Sequence, residues 1–106
     1  MEKFKLSRPI LDGDTKIEEI EYDLDALGFN DLAQIKQQFI RVVGAEAAAQ
    51  TMVKAMDETY QLIVMSKASG IPFEVLRGAS LKDAVRLGMR VQAFLLITAS
   101  TEETTE

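Results

Sequence analysis

The first part of the chain alternates between apolar and polar side chains, which is the period of a β-strand. One alternating run covers residues 4–10 and a second covers residues 20–24. The Asp-Gly-Asp sequence at residues 12–14 separates them and is typical of a tight turn, because glycine adopts positive φ without strain. This pattern predicts a β-hairpin over residues 3–24.

Two residues depart from the alternation of this hairpin. Ile17 has the wrong parity for the second strand, and a β-bulge near Glu18 and Glu19 would return it to the apolar face. Pro9 has no N–H to donate to a strand ladder, so it is expected at a strand end or on an edge.

Beyond residue 28 the apolar residues recur every three or four positions, which is the period of an amphipathic helix. Gly44 and Gly70 end two of these segments, and the Ile71-Pro72 pair opens a short one. The sequence therefore predicts an α+β fold, an N-terminal β-hairpin followed by a three-to-four-helix bundle, as one domain over residues 1–97. Residues 98–106 are predicted to form a disordered acidic tail. The helices are expected at about residues 31–43, 46–69, 72–77 and 81–97.

The last predicted helix is apolar over more than one face. One set of its residues forms a single stripe toward the core: Leu81, Val85, Gly88, Val91 and Leu95. Gly88 on that stripe indicates a close contact with another helix, because a glycine there otherwise costs about 1 kcal/mol relative to alanine. A domain with so few elements has little to cover the apolar residues outside the stripe, although ordinary core packing remains the alternative. These residues are the predicted partner-binding surface: Leu87, Met89, Phe94 and Leu96.

The charge of −5 is distributed unevenly along the chain. Residues 1–31 and 100–106 are acidic, whereas the helical segment between them is mildly basic. This distribution predicts poor binding to nucleic acid, since phosphate binding needs a concentrated basic surface. The alternative function from the residues alone is a small helical regulatory or nucleic-acid-binding adaptor. It would use Lys82, Arg86 and Arg90 at helical spacing, together with Arg77, although a solvated face is favoured.

The sequence contains no histidine and no cysteine, which removes the commonest general base, metal ligand and thiol nucleophile. The carboxylates of the second strand (Glu19, Glu21, Asp23 and Asp25) could loosely hold a divalent cation, but a solvated strand face is favoured. We therefore predict a protein that is not an enzyme, with no catalytic residues, no cofactor and no metal. The start of the chain does not read as a signal peptide, and the longest apolar run is too short to span a membrane.

The opening of the chain resembles the small tail assembly chaperones of tailed bacteriophages and prophages. The residues that carry this resemblance are Leu6, Ser7, Pro9, Ile10, Asp12, Gly13, Ile20 and the block Tyr22–Leu27. A segment from Pro72 to Leu76 and a helix start at Leu81–Asp83 are similar to the later part of the same family. The alanine-rich stretch Ala45–Ala49 departs from its pattern.

The resemblance implies a non-enzymatic protein of the bacterial host cytoplasm. Members of the family bind the tape measure protein, keep it soluble and help tail tube protein to polymerise around it. Self-association is a further expectation. In many such phages a longer form arises by translational frameshifting near the end of the reading frame, and residues 98–106 would then belong to the short form.

Overall fold

A computed structural model gives the fold of the chain, describing the backbone of residues 1–104 and the side chains of residues 1–97. An antiparallel hairpin of two strands precedes a set of helices, so the predicted α+β class is confirmed. Short 3-10 turns at Leu24–Ala26 and Lys54–Met56 connect some of the elements. The elements in chain order are β1 (Glu2–Asp12), β2 (Thr15–Tyr22), α1 (Phe29–Val43), α2 (Ala45–Gln50), α3 (Glu58–Ser69), α4 (Phe73–Leu76) and α5 (Leu81–Thr104).

The hairpin contains a wide irregularity, and it lies mainly in β1. Lys5 pairs with Glu19 and Ile10 with Ile17, so that the four residues Leu6–Pro9 stand opposite the single Glu18. The sequence predicts a bulge near Glu18 and Glu19 in the second strand, whereas the structure has the extra residues in the first strand. Pro9 fits there because a bulge does not need its missing N–H. Within the irregularity, the N–H groups of Ser7 and Arg8 donate to a side chain of α5.

The segment predicted as one helix over residues 46–69 is divided, so that prediction is wrong. The helix α2 ends at Gln50, and Thr51 adopts an extended conformation while its hydroxyl donates to the carbonyl of Ala47 at 2.9 Å. Asp57 then caps α3, since its Oδ1 accepts the N–H of Tyr60 at 3.0 Å. Three large apolar residues of the segment between α2 and α3 are exposed: Met52, Val53 and Met56.

The helix α5 continues to Thr104, whereas the sequence places its end near residue 97. The backbone of residues 98–104 belongs to α5, so the predicted disorder of the tail (residues 98–106) is wrong for this part, and residues 105–106 lie outside the described residues.

The helix α3 lies at the centre of the fold and packs against α1, α4, α5 and β2. Its buried residues point in several directions, which explains why the segment shows no single apolar stripe. Within the described residues, no helix is both long enough and apolar enough to cross a membrane. The buried residues of α3 are Tyr60, Gln61, Ile63, Val64 and Met65.

Candidate functional site

The four predicted partner-binding residues of α5 do not form one surface. Leu87 is fully buried in the core of the chain itself, so the prediction for this residue is wrong. Met89 and Leu96 are 62% and 44% exposed. Phe94 is half-buried and lines a separate groove beside α1. The structure thus divides the predicted surface between the core, the outside of α5 and a groove.

The core-facing stripe of α5 is also rotated from its predicted position. Leu81 and Val85 were expected in the core but are exposed, whereas Asp83 and Leu87 are buried. Val85, Met89 and Leu96 lie within roughly 40° of one another around the helix axis at 100° per residue. We call these three exposed residues the outer row. They form an apolar strip on a helix face that the described part of the chain does not cover.

The basic residues beside the outer row are largely engaged by the hairpin. The guanidinium groups of Arg86 and Arg90 lie 5.1 and 4.9 Å from the centroid of the Phe4 ring, within the range of cation–π contacts. Arg90 also donates to the hydroxyl of Tyr22 at 2.7 Å, and that hydroxyl donates to Glu2 at 3.2 Å. These contacts bind α5 to β1 and β2. They explain the position of Arg86 and Arg90 without a phosphate ligand.

On the hairpin, acidic side chains of β2 lie opposite basic side chains of β1. Lys3 forms a salt bridge of 3.7 Å with Glu21, and Lys5 is paired opposite Glu19. No group of three or more acidic side chains among the described residues is close enough to hold a metal ion. The arrangement is that of a solvated strand face with cross-strand charge pairs.

The N–H groups of the β1 bulge are bound by one buried carboxylate at the start of α5. Ser7 N–H lies 3.0 Å from both carboxylate oxygens of Asp83, the Ser7 hydroxyl donates to Oδ2 at 3.0 Å, and Arg8 N–H donates at 3.3 Å. Asp83 N–H in turn donates to the hydroxyl of Ser80 at 3.2 Å, which is the contact that a helix-capping serine makes. We call this group (Ser7, Arg8, Ser80 and Asp83) the carboxylate staple.

The staple also sets the ionisation of its carboxyl group. Burial alone would raise the pKa of Asp83, but the hydrogen bonds from Ser7, Ser80 and Arg8 outweigh it and hold that pKa below its ordinary value. The group therefore stays ionised at neutral pH although its side chain is fully buried. This position serves the fold, and nothing about it requires a substrate.

Gly88 makes the close helix contact that the sequence indicated, and its partner is α3. A Cβ at this position would lie 2.3 Å from Oε1 of Gln61. Gln61 is buried, and its side-chain nitrogen donates to the carbonyl of Ala55 at 2.7 Å and to Gln92 at 3.2 Å. A buried amide thus joins α3, α5 and the 3-10 turn before α3 at the point where glycine allows close approach.

An apolar groove of about 340 Å³ opens between the start of α1 and α5. Its floor includes Tyr60 and Val64 of α3, and burial raises the pKa of the Tyr60 hydroxyl. The Tyr60 ring also meets Phe39 edge-on at a centroid distance of 5.4 Å. Among residues 1–97, the groove is lined by Leu24, Leu27, Gly28, Phe29, Leu32, Ile35, Tyr60, Val64, Phe94 and Leu95.

Comparisons of the chain with protein-family models, with curated proteins and with solved structures give no match. The two apolar surfaces and the charge distribution are therefore the observations on which a function can be argued.

Proposed function

We propose that this chain is a non-enzymatic tail assembly chaperone of a bacteriophage or prophage. It would act in the host cytoplasm, bind the tape measure protein and promote polymerisation of the tail tube protein around it. The proposal combines the resemblance of residues 3–97 to that family with the exposed apolar surface of α5. The outer row is the observation that carries it, because a binder of a long helical client needs apolar surface that its own fold leaves uncovered.

The chemistry of the outer row suits a client of variable sequence. Met89 is unbranched and polarisable, so its side chain adapts to irregular apolar partners. Three further apolar residues are exposed in the segment before α3, and two of them are also methionine: Met52, Val53 and Met56. The net charge of −5 would help to keep a complex with an apolar client in solution.

The basic residues of α5 support the nucleic-acid-binding adaptor function less well than the outer row supports the chaperone function. Arg86 and Arg90 already contact Phe4 and Tyr22, so a phosphate would have to compete with contacts that hold the hairpin on α5. Lys82 is exposed. One lysine is a weak basis for phosphate binding, and we propose no second function.

The proposal predicts that Met89→Glu with Leu96→Glu abolishes the protection of the client. Both side chains are exposed, so the free energy of unfolding is expected to change by no more than about 0.5 kcal/mol. The measurement is the soluble fraction of a phage tape measure protein after its co-expression with this chain. Wild type should keep the client soluble, and the double variant should leave it in the pellet.

Leu11→Glu provides the matched control for this experiment. Leu11 is 63% exposed on β1, away from the outer row, so the same change there should preserve client solubility. A client that stays equally soluble without this chain would refute the chaperone function. If the folded double variant still kept the client fully soluble, the outer row would not be part of the client-binding surface.

A further inference from the structure

A second, smaller cavity of about 280 Å³ opens between α1, α2 and the 3-10 turn before α3. Three alanines of α2 contribute to it from one helix face, because residues at i, i+3 and i+4 lie on the same side of a helix. Their short side chains leave the space open, which gives the alanine-rich stretch of residues 45–49 a structural role. The described residues that line the cavity are Lys36, Ile40, Ala45, Ala48, Ala49 and Lys54. The cavity thus combines apolar surface with two positive charges.

The two lysines of this cavity have no acidic partner among the described side chains. The salt bridges found there are formed by Lys3 and Arg77, elsewhere in the fold. Glu46 and Asp57 are close in sequence to the lining residues of α2 and of the 3-10 turn, but neither belongs to the described lining. Asp57 is engaged at the start of α3 by the N–H of Tyr60. The lining therefore carries a positive charge that the described part of the chain does not neutralise.

Large apolar side chains at the edge of the cavity are exposed. Ile40 lines it and Val53 directly precedes Lys54, and the side chains of Ile40 and Val53 are both exposed. Met52, the next residue toward α2, is 93% exposed. Exposed apolar surface bordered by charged residues is typical of protein interaction sites. An occupant of this cavity would bury that surface and place negative charge beside the lysines.

The chemistry of the cavity favours an acidic protein segment over a nucleic acid. Nucleic-acid binding needs a concentrated basic surface, whereas this chain has a net charge of −5 and two lysines at the cavity. The described lining has no aromatic side chain on which a base could stack. Its apolar surface, in contrast, matches an aliphatic side chain, and an ammonium group forms a charge-assisted hydrogen bond with a carboxylate.

From this geometry we propose that the cavity binds an acidic segment of a partner protein, in which an aliphatic side chain is flanked by glutamate or aspartate. The aliphatic side chain enters the space beside the alanines of α2, and the flanking carboxylates pair with Lys36 and Lys54. The described lining shares no residue with the outer row. The inference thus goes beyond the chaperone function and does not depend on it.

Synthetic peptides test the proposal directly, because the chain contains no tryptophan and the anisotropy of a peptide tryptophan can be followed alone. The acidic probe is a short capped peptide with a central leucine between glutamates and a terminal tryptophan. One matched probe has lysine in place of glutamate, and another has serine in place of leucine. We expect the acidic probe to bind about tenfold more tightly than either matched probe at low salt.

The salt dependence separates the two contributions to this preference. The net charge of the protein favours the lysine probe, so tighter binding of the acidic probe requires local positive charge. The advantage over the lysine probe should shrink at about 0.5 M NaCl, because salt screens the attraction. The advantage of leucine over serine should persist, since it arises from burial of apolar surface.

Reversal of the two lysine charges locates the binding. Lys36→Glu with Lys54→Glu should weaken the acidic probe about tenfold. The matched control is Lys16→Glu with Lys82→Glu, which changes the net charge equally at exposed positions outside the described lining and should preserve binding.

Filling the cavity tests its apolar part. Ala49→Leu should weaken the acidic probe about tenfold, because the longer side chain occupies the space beside α2. Ala47→Leu, at an exposed alanine of the same helix outside the described lining, should not. Met89→Glu with Leu96→Glu should leave peptide binding unchanged, which separates this test from that of the client surface.

Four results would overturn the proposal. Equal affinity for the acidic and lysine probes would show that the lysines of the cavity select nothing. Unchanged binding by the folded double-glutamate and Ala49→Leu variants would place the peptide elsewhere. Displacement of the acidic probe by single-stranded DNA at an equal concentration of negative charge would show that the site binds nucleic acid. Self-association of the wild type that is lost in Ala49→Leu would show that a second copy of this chain occupies the cavity.

Discussion

Replacement of Asp83 by alanine is expected to lower the free energy of unfolding by about 3 kcal/mol, more than any other acidic residue of the chain. The substitution removes the acceptor for Ser7 N–H, the Ser7 hydroxyl and Arg8 N–H in one step. The alanine variant leaves these groups without that acceptor at the junction with α5. Urea denaturation followed by circular dichroism measures the change.

Asp57→Ala is the matched control for this measurement. It also removes a carboxylate that accepts backbone N–H at a helix start, but it breaks one hydrogen bond within a single element. Its expected cost is about 1 kcal/mol. A loss no larger in Asp83→Ala than in Asp57→Ala would mean that the staple contributes only as a local helix cap.

The same carboxyl group gives the staple a defined pH dependence. Because the folded-state pKa of Asp83 lies below its unfolded value of about 3.9, the stabilisation is complete above that value and is lost as the pH falls through the folded-state pKa. The difference in stability between wild type and Asp83→Asn should therefore be constant near neutral pH and shrink below about pH 4. A difference that persists unchanged to pH 2 would contradict this account.

Replacement of Gly88 by leucine is the second large effect, with an expected loss of about 3 kcal/mol. The new Cβ would lie 2.3 Å from Oε1 of Gln61 and 3.3 Å from its carboxamide carbon. Gln61 cannot turn into solvent without breaking its bonds to Ala55 and Gln92. Thermal or urea denaturation measures the loss, and Ala93→Leu on the exposed face of the same helix should show little change.

A double-mutant cycle tests whether Gln61 causes that loss. Gly88→Ala gains about 1 kcal/mol of helix propensity but crowds the amide, so alone it should be neutral to mildly destabilising. In a Gln61→Ala background the crowding is absent and only the gain remains. We expect a coupling energy of at least about 1 kcal/mol. Additive effects would show that the contact between α3 and α5 tolerates a Cβ without rearrangement.

The element types were predictable because each depends on local pattern. Alternation and an Asp-Gly-Asp turn predicted the hairpin. At the start of α1, the carboxylate of Asp31 accepts the N–H of Gly28. The division of residues 46–69 was missed because alanine-rich helical propensity masked two polar signals, Thr51 and Asp57. Both are common at helix ends, and the Asp-Glu pair at residues 57–58 could have located the second helix.

The faces of α5 were harder to predict because a tertiary contact overrides the apolar pattern. A rule that places apolar residues inside assigns Leu81 and Val85 to the core and leaves Asp83 outside. The structure does the reverse, since the β1 bulge requires an acceptor and Asp83 supplies it. Once Asp83 faces inward, Leu87 follows one turn later, and Val85 and Met89 turn outward. The sequence alone could not show that the bulge needs this acceptor, because Ser7 and Asp83 are 76 positions apart.

That separation has a consequence for how the protein is made. During synthesis the hairpin leaves the ribosome first, but its bulge has no acceptor until residue 83 has emerged. The two strands alone form a marginal structure in water. The hairpin is thus expected to stay exposed to the solvent while the helical part of the chain is translated. The hairpin is then expected to pack onto α5 only late in synthesis, after most of the helical part has been made.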